Sequence, residues 1–182
     1  MEKKIITGSD QKTRSLAKSM AENCLKTGLG FVFNGQAMIF ALDGSLGSGK
    51  TTFIQGFAKG LGIREKILSP TFVILKRFKI TKPKGPNPTR SQRFAPRCGP
   101  ESKALSPKFK NFYHIDCYRI KDSQEILDLG FEEIISDPEN IVVIEWADKI
   151  KEVLPKNIAV INFKLKDKNI REIIIKSEYN FG

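Results

Sequence analysis

One short stretch constrains this chain more than any other. Gly44, Ser45, Leu46, Gly47, Ser48, Gly49, Lys50 and Thr51 satisfy the spacing G-x-x-x-x-G-K-[ST]. The pattern carries meaning only between a buried strand and a helix, and both flanks qualify. Met38, Ile39, Phe40, Ala41 and Leu42 form an unbroken apolar run, as a parallel strand covered on both faces requires. Beyond the loop, Phe53, Phe57 and Leu61 recur at helical spacing. The glycines allow the backbone to curl so that its N–H groups converge, and the helix opening there adds about half a positive charge at its N-terminus. The stretch therefore predicts a cradle for a nucleoside triphosphate.

The chemistry of such a cradle assigns roles by residue type. Lys50 is expected to reach the β- and γ-phosphates, the Thr51 hydroxyl to ligate Mg²⁺, and Thr52 to continue the backbone cradle, so the expected cofactors are ATP and Mg²⁺. A metal shell also needs a carboxylate at the end of a neighbouring buried strand. Ile141, Val142, Val143 and Ile144 run directly into Glu145, which supplies one as a second metal ligand. Asp116 closes another strand-like run, Phe112 to Tyr118. It reads as orienting or deprotonating the attacking water or sharing the metal, or else as pairing with Arg119. His114 falls on the same strand face as Asp116, where a structural role is the default. Thr71, stiffened by Pro70, stands where a switch segment senses a γ-phosphate, and Trp146 reads as core packing.

The remainder of the chain fits an α/β fold. Ser9 or Asp10 caps a first helix running to about Lys26, with Leu16, Met20 and Cys24 on one face. Val73, Ile74 and Leu75 suggest a strand, and Ile161 to Leu165 and Ile170 to Ile175 flank a turn, as in a hairpin. Together these predict a P-loop NTPase-like three-layer sandwich, with a central, mostly parallel sheet and a C-terminal β-hairpin. The 182 residues suit a single domain. No apolar run is long enough to span a membrane and no signal peptide is visible, so a cytoplasmic protein is expected. Cys24, Cys98 and Cys117 share no C-x-x-C spacing, which suits a reducing compartment and argues against structural zinc.

The net charge of +11 is unevenly spread. Residues 76–110 hold eleven Lys/Arg against Glu101 alone, a balance of 11 − 1 = +10, leaving +1 for everything else. The same segment holds six of the nine prolines, so it reads as a flexible insertion, and contact with nucleic acid, if any, is expected there.

Read in order, the loop, Ser69-Pro70-Thr71-Phe72, His114-Ile115-Asp116-Cys117-Tyr118-Arg119 and Ile144-Glu145-Trp146-Ala147-Asp148 resemble the bacterial TsaE (YjeE) family, from about Thr13 to Arg171. The resemblance implies a small ATPase of tRNA threonylcarbamoyladenosine (t6A) biosynthesis. Its implied partners are a Kae1-type threonylcarbamoyl transferase subunit and its pseudo-enzyme partner, TsaD and TsaB. It further implies that Thr13 lies near the adenine or ribose, that Thr51 and Glu145 hold Mg²⁺, and that Arg171 faces the nucleotide from the hairpin. Ser45 stands where the family usually carries an acid, Cys117 where it carries leucine, and the insertion is long for the family, placed in sequence close to the expected site.

Two other classes compete. A P-loop small-molecule kinase would use the basic insertion as an arginine lid. A nucleic-acid-binding module would use it as the primary site, possession of ATP being secondary. A GTPase is disfavoured, since neither N-K-x-D nor D-x-x-G occurs.

Overall fold

A computed structural model describes residues 1–26, 35–69, 73–81 and 109–177. Within them the chain alternates strands and helices: β1 (Glu2–Thr7), α1 (Asp10–Lys26), β2 (Met38–Gly44), α2 (Lys50–Gly60), β3 (Leu75–Lys79), β4 (Asn111–Asp116), α3 (Ser123–Leu127), α4 (Phe131–Ser136), β5 (Asn140–Glu145), β6 (Ala159–Asp167) and β7 (Ile170–Lys176). A 3₁₀ segment, Ala147–Val153, follows β5 and kinks at Ile150.

The strands make one sheet in the order β1-β7-β6-β2-β5-β4-β3. β6, β2, β5 and β4 are mutually parallel, while β3 and β7 run against their neighbours. β6 and β7 form the expected C-terminal hairpin. β2 and β5 are buried along their apolar runs because helices cover both faces, which is why those runs show no alternation. On one face Phe40, Leu42 and Phe112 pack with Phe53, Phe57 and Leu61 of the α2 segment and with Ala17 and Met20 of α1. On the other, Ile39, Ile115 and Ile144 pack with Ile126 and Phe131. This is the three-layer α/β sandwich. α1 and α2 approach closely because Gly56 and Gly60 leave room for the α1 backbone at Arg14 and Lys18. No described helix is long and apolar enough to cross a membrane.

Two expectations need correction. The strand anticipated at Val73 starts at Leu75 and continues through Lys79, into the basic segment. Ile74 has φ 64°, a left-handed conformation that β-branched residues resist, so the ladder cannot begin before Leu75. Secondly, β3 runs away from the phosphate-loop end: Leu75 pairs with Ile115, and Lys79 with Asn111 at the opposite end of the sheet. The basic insertion, placed in sequence near the expected site, is thus rooted at the far edge. Arg77 donates to Asn111 Oδ1 at 2.8 Å and Lys110 pairs with Glu139 at 2.6 Å, so some of its cations serve the fold. Residues 82–108, with Cys98, lie outside the described residues.

Candidate functional site

The parallel register brings Gly44, Asp116 and Glu145 to one end of the sheet, since Leu42 pairs with Glu145 and Glu145 with Asp116. The loop after β2 curls there. Gly44 has φ 145°, and a Cβ on it would lie 2.5 Å from the Phe163 carbonyl oxygen. Gly49 caps α2 with φ 105° and no side-chain hydrogen bond. The first N–H groups of α2 therefore lack a protein cap and face the loop's concavity, as an anion site requires. A cavity of about 330 Å³ lies against residues 46–52 and is closed by Ser69, Asp116, Tyr118, Glu145 and Trp146.

Thr51 and Glu145 meet across this cavity. The Thr51 hydroxyl donates toward both Glu145 carboxylate oxygens, at 3.2 and 3.1 Å. His114 Nε2 lies 2.9 Å from Glu145 Oε1, with both side chains buried. His114 Nδ1 has no partner among the described residues. Sequence reading left His114 in a structural role. The signal available was its place two residues before Asp116, but only the sheet register shows that this face looks at Glu145.

Asp116 is buried and accepts from the Ser69 hydroxyl at 2.5 Å and from the Tyr118 N–H at 3.0 Å. Ser69 thereby ties the start of the segment containing Thr71 to the site. Thr71 itself lies outside the described residues.

Lys50 is folded into its own loop. Its ammonium donates to the carbonyls of Gly44 at 2.6 Å and Ser45 at 3.1 Å, and sits 4.0 Å from the centroid of the Trp146 ring. Burial holds its pKa below the ordinary lysine value, opposed by the nearby carboxylates of Glu145, Asp116, Asp43 and Asp148. Trp146, read from sequence as core packing, instead lines the cavity, with φ 58° and its ring 5.2 Å from that of Tyr118. Buried Cys117, beside Asp116, has its thiol pushed up to about 12, first by burial and then by the charges of Asp116 and Asp148.

Thr13 and Arg171 stand on the other flank of the loop and do not line the 330 Å³ cavity. Arg171 packs on the loop: a Cβ at Gly49 would lie 2.6 Å from its Nε. Its guanidinium is held from behind by Asp10 at 2.6 Å, leaving Nε and Nη1 buried without partners among the described residues. The Thr13 hydroxyl is shared with Thr7 at 2.8 Å and Ser9 O at 3.2 Å, so it shapes this flank. Ser45 and Leu46 are exposed, and Leu46 borders the cavity whereas Ser45 does not.

A donor set of one hydroxyl and one carboxylate suits Mg²⁺, which keeps several waters and binds through one or two carboxylates plus substrate phosphates. Among the described residues no cluster of three His, Cys, Asp or Glu offers an all-protein metal cage.

Three comparisons address the family. The sequence profile described as "Threonylcarbamoyl adenosine biosynthesis protein TsaE" matches residues 7–86 and 102–173. A protein of Rickettsia typhi named "tRNA threonylcarbamoyladenosine biosynthesis protein TsaE" is 33% identical over 171 residues, covering 93% of this chain and 92% of that protein. Its namesake in Bacillus subtilis is 34% identical over 135 residues, covering 74% and 66%. A crystal structure of Bacillus subtilis YdiB superposes with a TM-score of 0.63 at 27% identity, covering 99% of this chain and 88% of that one. The chain belongs to the TsaE family.

Proposed function

We propose that this chain binds Mg²⁺ and ATP in the loop of residues 44–52 and hydrolyses ATP as a cytoplasmic accessory protein. The process it serves is t6A modification at position 37 of ANN-decoding tRNAs, through the threonylcarbamoyl transferase complex of TsaD and TsaB. The observation that carries the reading is the meeting of Thr51 and Glu145, 94 residues apart, at the mouth of an uncapped helix N-terminus. Thr51 and Glu145 would hold the metal, whose chemistry is to neutralise charge developing between the β- and γ-phosphates. Lys50 would exchange its two carbonyl contacts for phosphate oxygens. Asp116, steadied by Ser69 and the Tyr118 N–H, would orient the attacking water, with Thr71 sensing the γ-phosphate. Arg171 and Thr13 would form the flank nearer the nucleoside. The kinase alternative, with the basic insertion as an arginine lid, is the second reading, and the root of that insertion lies at the end of the sheet away from the phosphate loop.

The test is ATP binding by calorimetry with and without Mg²⁺, followed by phosphate release and t6A formation in the presence of purified TsaD and TsaB. Lys50→Ala should abolish tight ATP binding. Glu145→Gln should remove the Mg²⁺ dependence and cut hydrolysis on the order of 10²-fold or more, the usual cost of losing one electrostatic group from a transition state. Wild-type ATP affinity in a folded Lys50→Ala protein, or a phosphorylated small molecule in place of free phosphate, would refute the reading.

A further inference from the structure

A second concavity lies away from the phosphate site. A groove of about 770 Å³ opens between α1, α2 and the loop that follows α2. Its floor is apolar, formed by Ala58, Ile63 and Ile67, all buried. Its rim is basic: Arg14, Lys59, Arg64 and Lys66 are exposed there against a single acid, Glu65. Arg14 is partly engaged, donating to Gln55 at 3.3 Å and lying 3.9 Å from Asp10. Lys59, Arg64 and Lys66 form no ion pair with any described residue.

Two links give this groove a place in the molecule. The Thr81 hydroxyl donates to the Gly62 carbonyl at 2.5 Å, so the chain leaving β3 passes along the rim. The residues that follow, 82–108, carry seven Lys/Arg and one acid, and the family profile skips residues 87–101 within them. At the other end, Gln55 Nε2 donates to the Ile67 carbonyl at 3.2 Å, fixing the floor to the helix that begins at the phosphate loop. Two residues later Ser69 bonds Asp116.

We propose that this groove binds the phosphate backbone of RNA, positioning tRNA through Lys59, Arg64 and Lys66. Unpaired cations on a rim match a polyanion, and a floor of small aliphatic residues without an aromatic ring offers no base stacking, so the contact is to backbone and not to sequence. Four rim cations against one acid call for an anionic partner, and the sugar-phosphate backbone of RNA supplies its charge as a repeating row. The choice of tRNA as occupant rests on the proposed function above, whereas the backbone contact does not.

The experiment measures binding of a tRNA transcript to the full chain by anisotropy, without ATP, from 50 to 200 mM salt. Each phosphate contact contributes about 0.7–0.9 to the log–log salt slope. The triple variant Lys59→Gln, Arg64→Gln, Lys66→Gln should therefore lower the slope by about 2–3, removing roughly 20- to 40-fold of the salt sensitivity over that range. Its ATP affinity should equal wild type, since none of the three lines the phosphate cavity. Lys66→Gln alone should lower the slope by nearly one, and Glu65→Gln should tighten binding, which keeps the test decisive if the triple variant does not fold. An unchanged slope in the folded variants, or no tRNA binding by the intact chain at 50 mM salt, overturns the proposal. Full tRNA affinity combined with lost capture of purified TsaD and TsaB also overturns it, and assigns the groove to a protein partner. Loss of ATP binding by the wild-type chain with the salt effect intact would remove the ATPase reading and leave the groove.

Discussion

Glu145 is held from two sides, by the Thr51 hydroxyl and by His114 Nε2. A buried carboxylate needs such partners, because hydrogen bonds to a charged group contribute about 1.5–3 kcal/mol each and an unmet one costs at least as much. Were Thr51 to ligate a metal, His114 would be the contact that remains to fix the carboxylate. His114→Ala should therefore weaken Mg²⁺-dependent ATP binding roughly tenfold or more, by that same hydrogen-bond energy. His114→Gln, which keeps an N–H donor, should recover part of it. Metal-free ATP binding should be unaffected in both, because on the proposed reading Lys50 and the loop's N–H groups would make the phosphate contacts. Equal losses with and without Mg²⁺ in calorimetry would reduce His114 to a packing residue. Trp146 shows what residue type alone does not reveal: an aromatic after an apolar strand reads as core, yet its left-handed backbone turns the ring over Lys50.

Among the elements, the α1 and α2 pair decides how the loop is presented, and its closeness rests on two glycines. A Cβ at Gly56 would lie 2.2 Å from the Arg14 carbonyl oxygen and 2.6 Å from the Arg14 Cα, both backbone atoms that cannot turn aside. Overpacking costs about 1–3 kcal/mol or more, whereas alanine in place of a helical glycine returns about 1 kcal/mol. With backbone atoms that close, the upper end of the overpacking range applies, and Gly56→Ala should lose about 2 kcal/mol of stability in urea titration, despite alanine's better helix propensity. Gly8→Ala, with nothing within 4 Å, should stay within about 0.5 kcal/mol of wild type. A neutral Gly56→Ala would mean that the helices separate freely. The elements legible in the sequence were those whose pattern is set by burial: β2 and β5 as apolar runs, and α2 by Phe53, Phe57 and Leu61. β1 was not, because it is an edge strand whose residues up to Ile6 are at least partly exposed, so Lys3, Lys4, Ile5 and Ile6 show no alternation. Its partner β7 is more than 160 residues away. The site was legible in its motif residues, whereas the Asp10 to Arg171 pair and the contact of Arg171 with Gly49 depend on that distant pairing.

At the scale of the whole molecule, the sheet separates the phosphate loop from the root of the basic insertion. β4 runs six residues from Asn111, beside that root, to Asp116 at the site, about 17 Å at the rise of an extended strand. The two ends of the insertion are already joined: Lys79 pairs with Asn111, and the Ile80 N–H donates to the Lys110 carbonyl at 2.9 Å. A hairpin turn of about four residues between Thr81 and Phe109 can therefore replace residues 82–108 without opening β3. The loop-closure term alone then favours the shortened chain by about 1.7 kcal/mol, from (3/2)RT ln of the ratio of lengths. The shortened protein should melt no lower than the parent and bind ATP within about twofold of it. Its tRNA binding should retain the share of salt dependence that Lys59, Arg64 and Lys66 supply, and lose that of the seven deleted cations. Calorimetry and a salt series on the two proteins decide it. A drop in ATP affinity would show that the deleted residues reach across the sheet to the phosphates. An unchanged salt slope would show that they do not meet the RNA, leaving the groove as its whole basic surface.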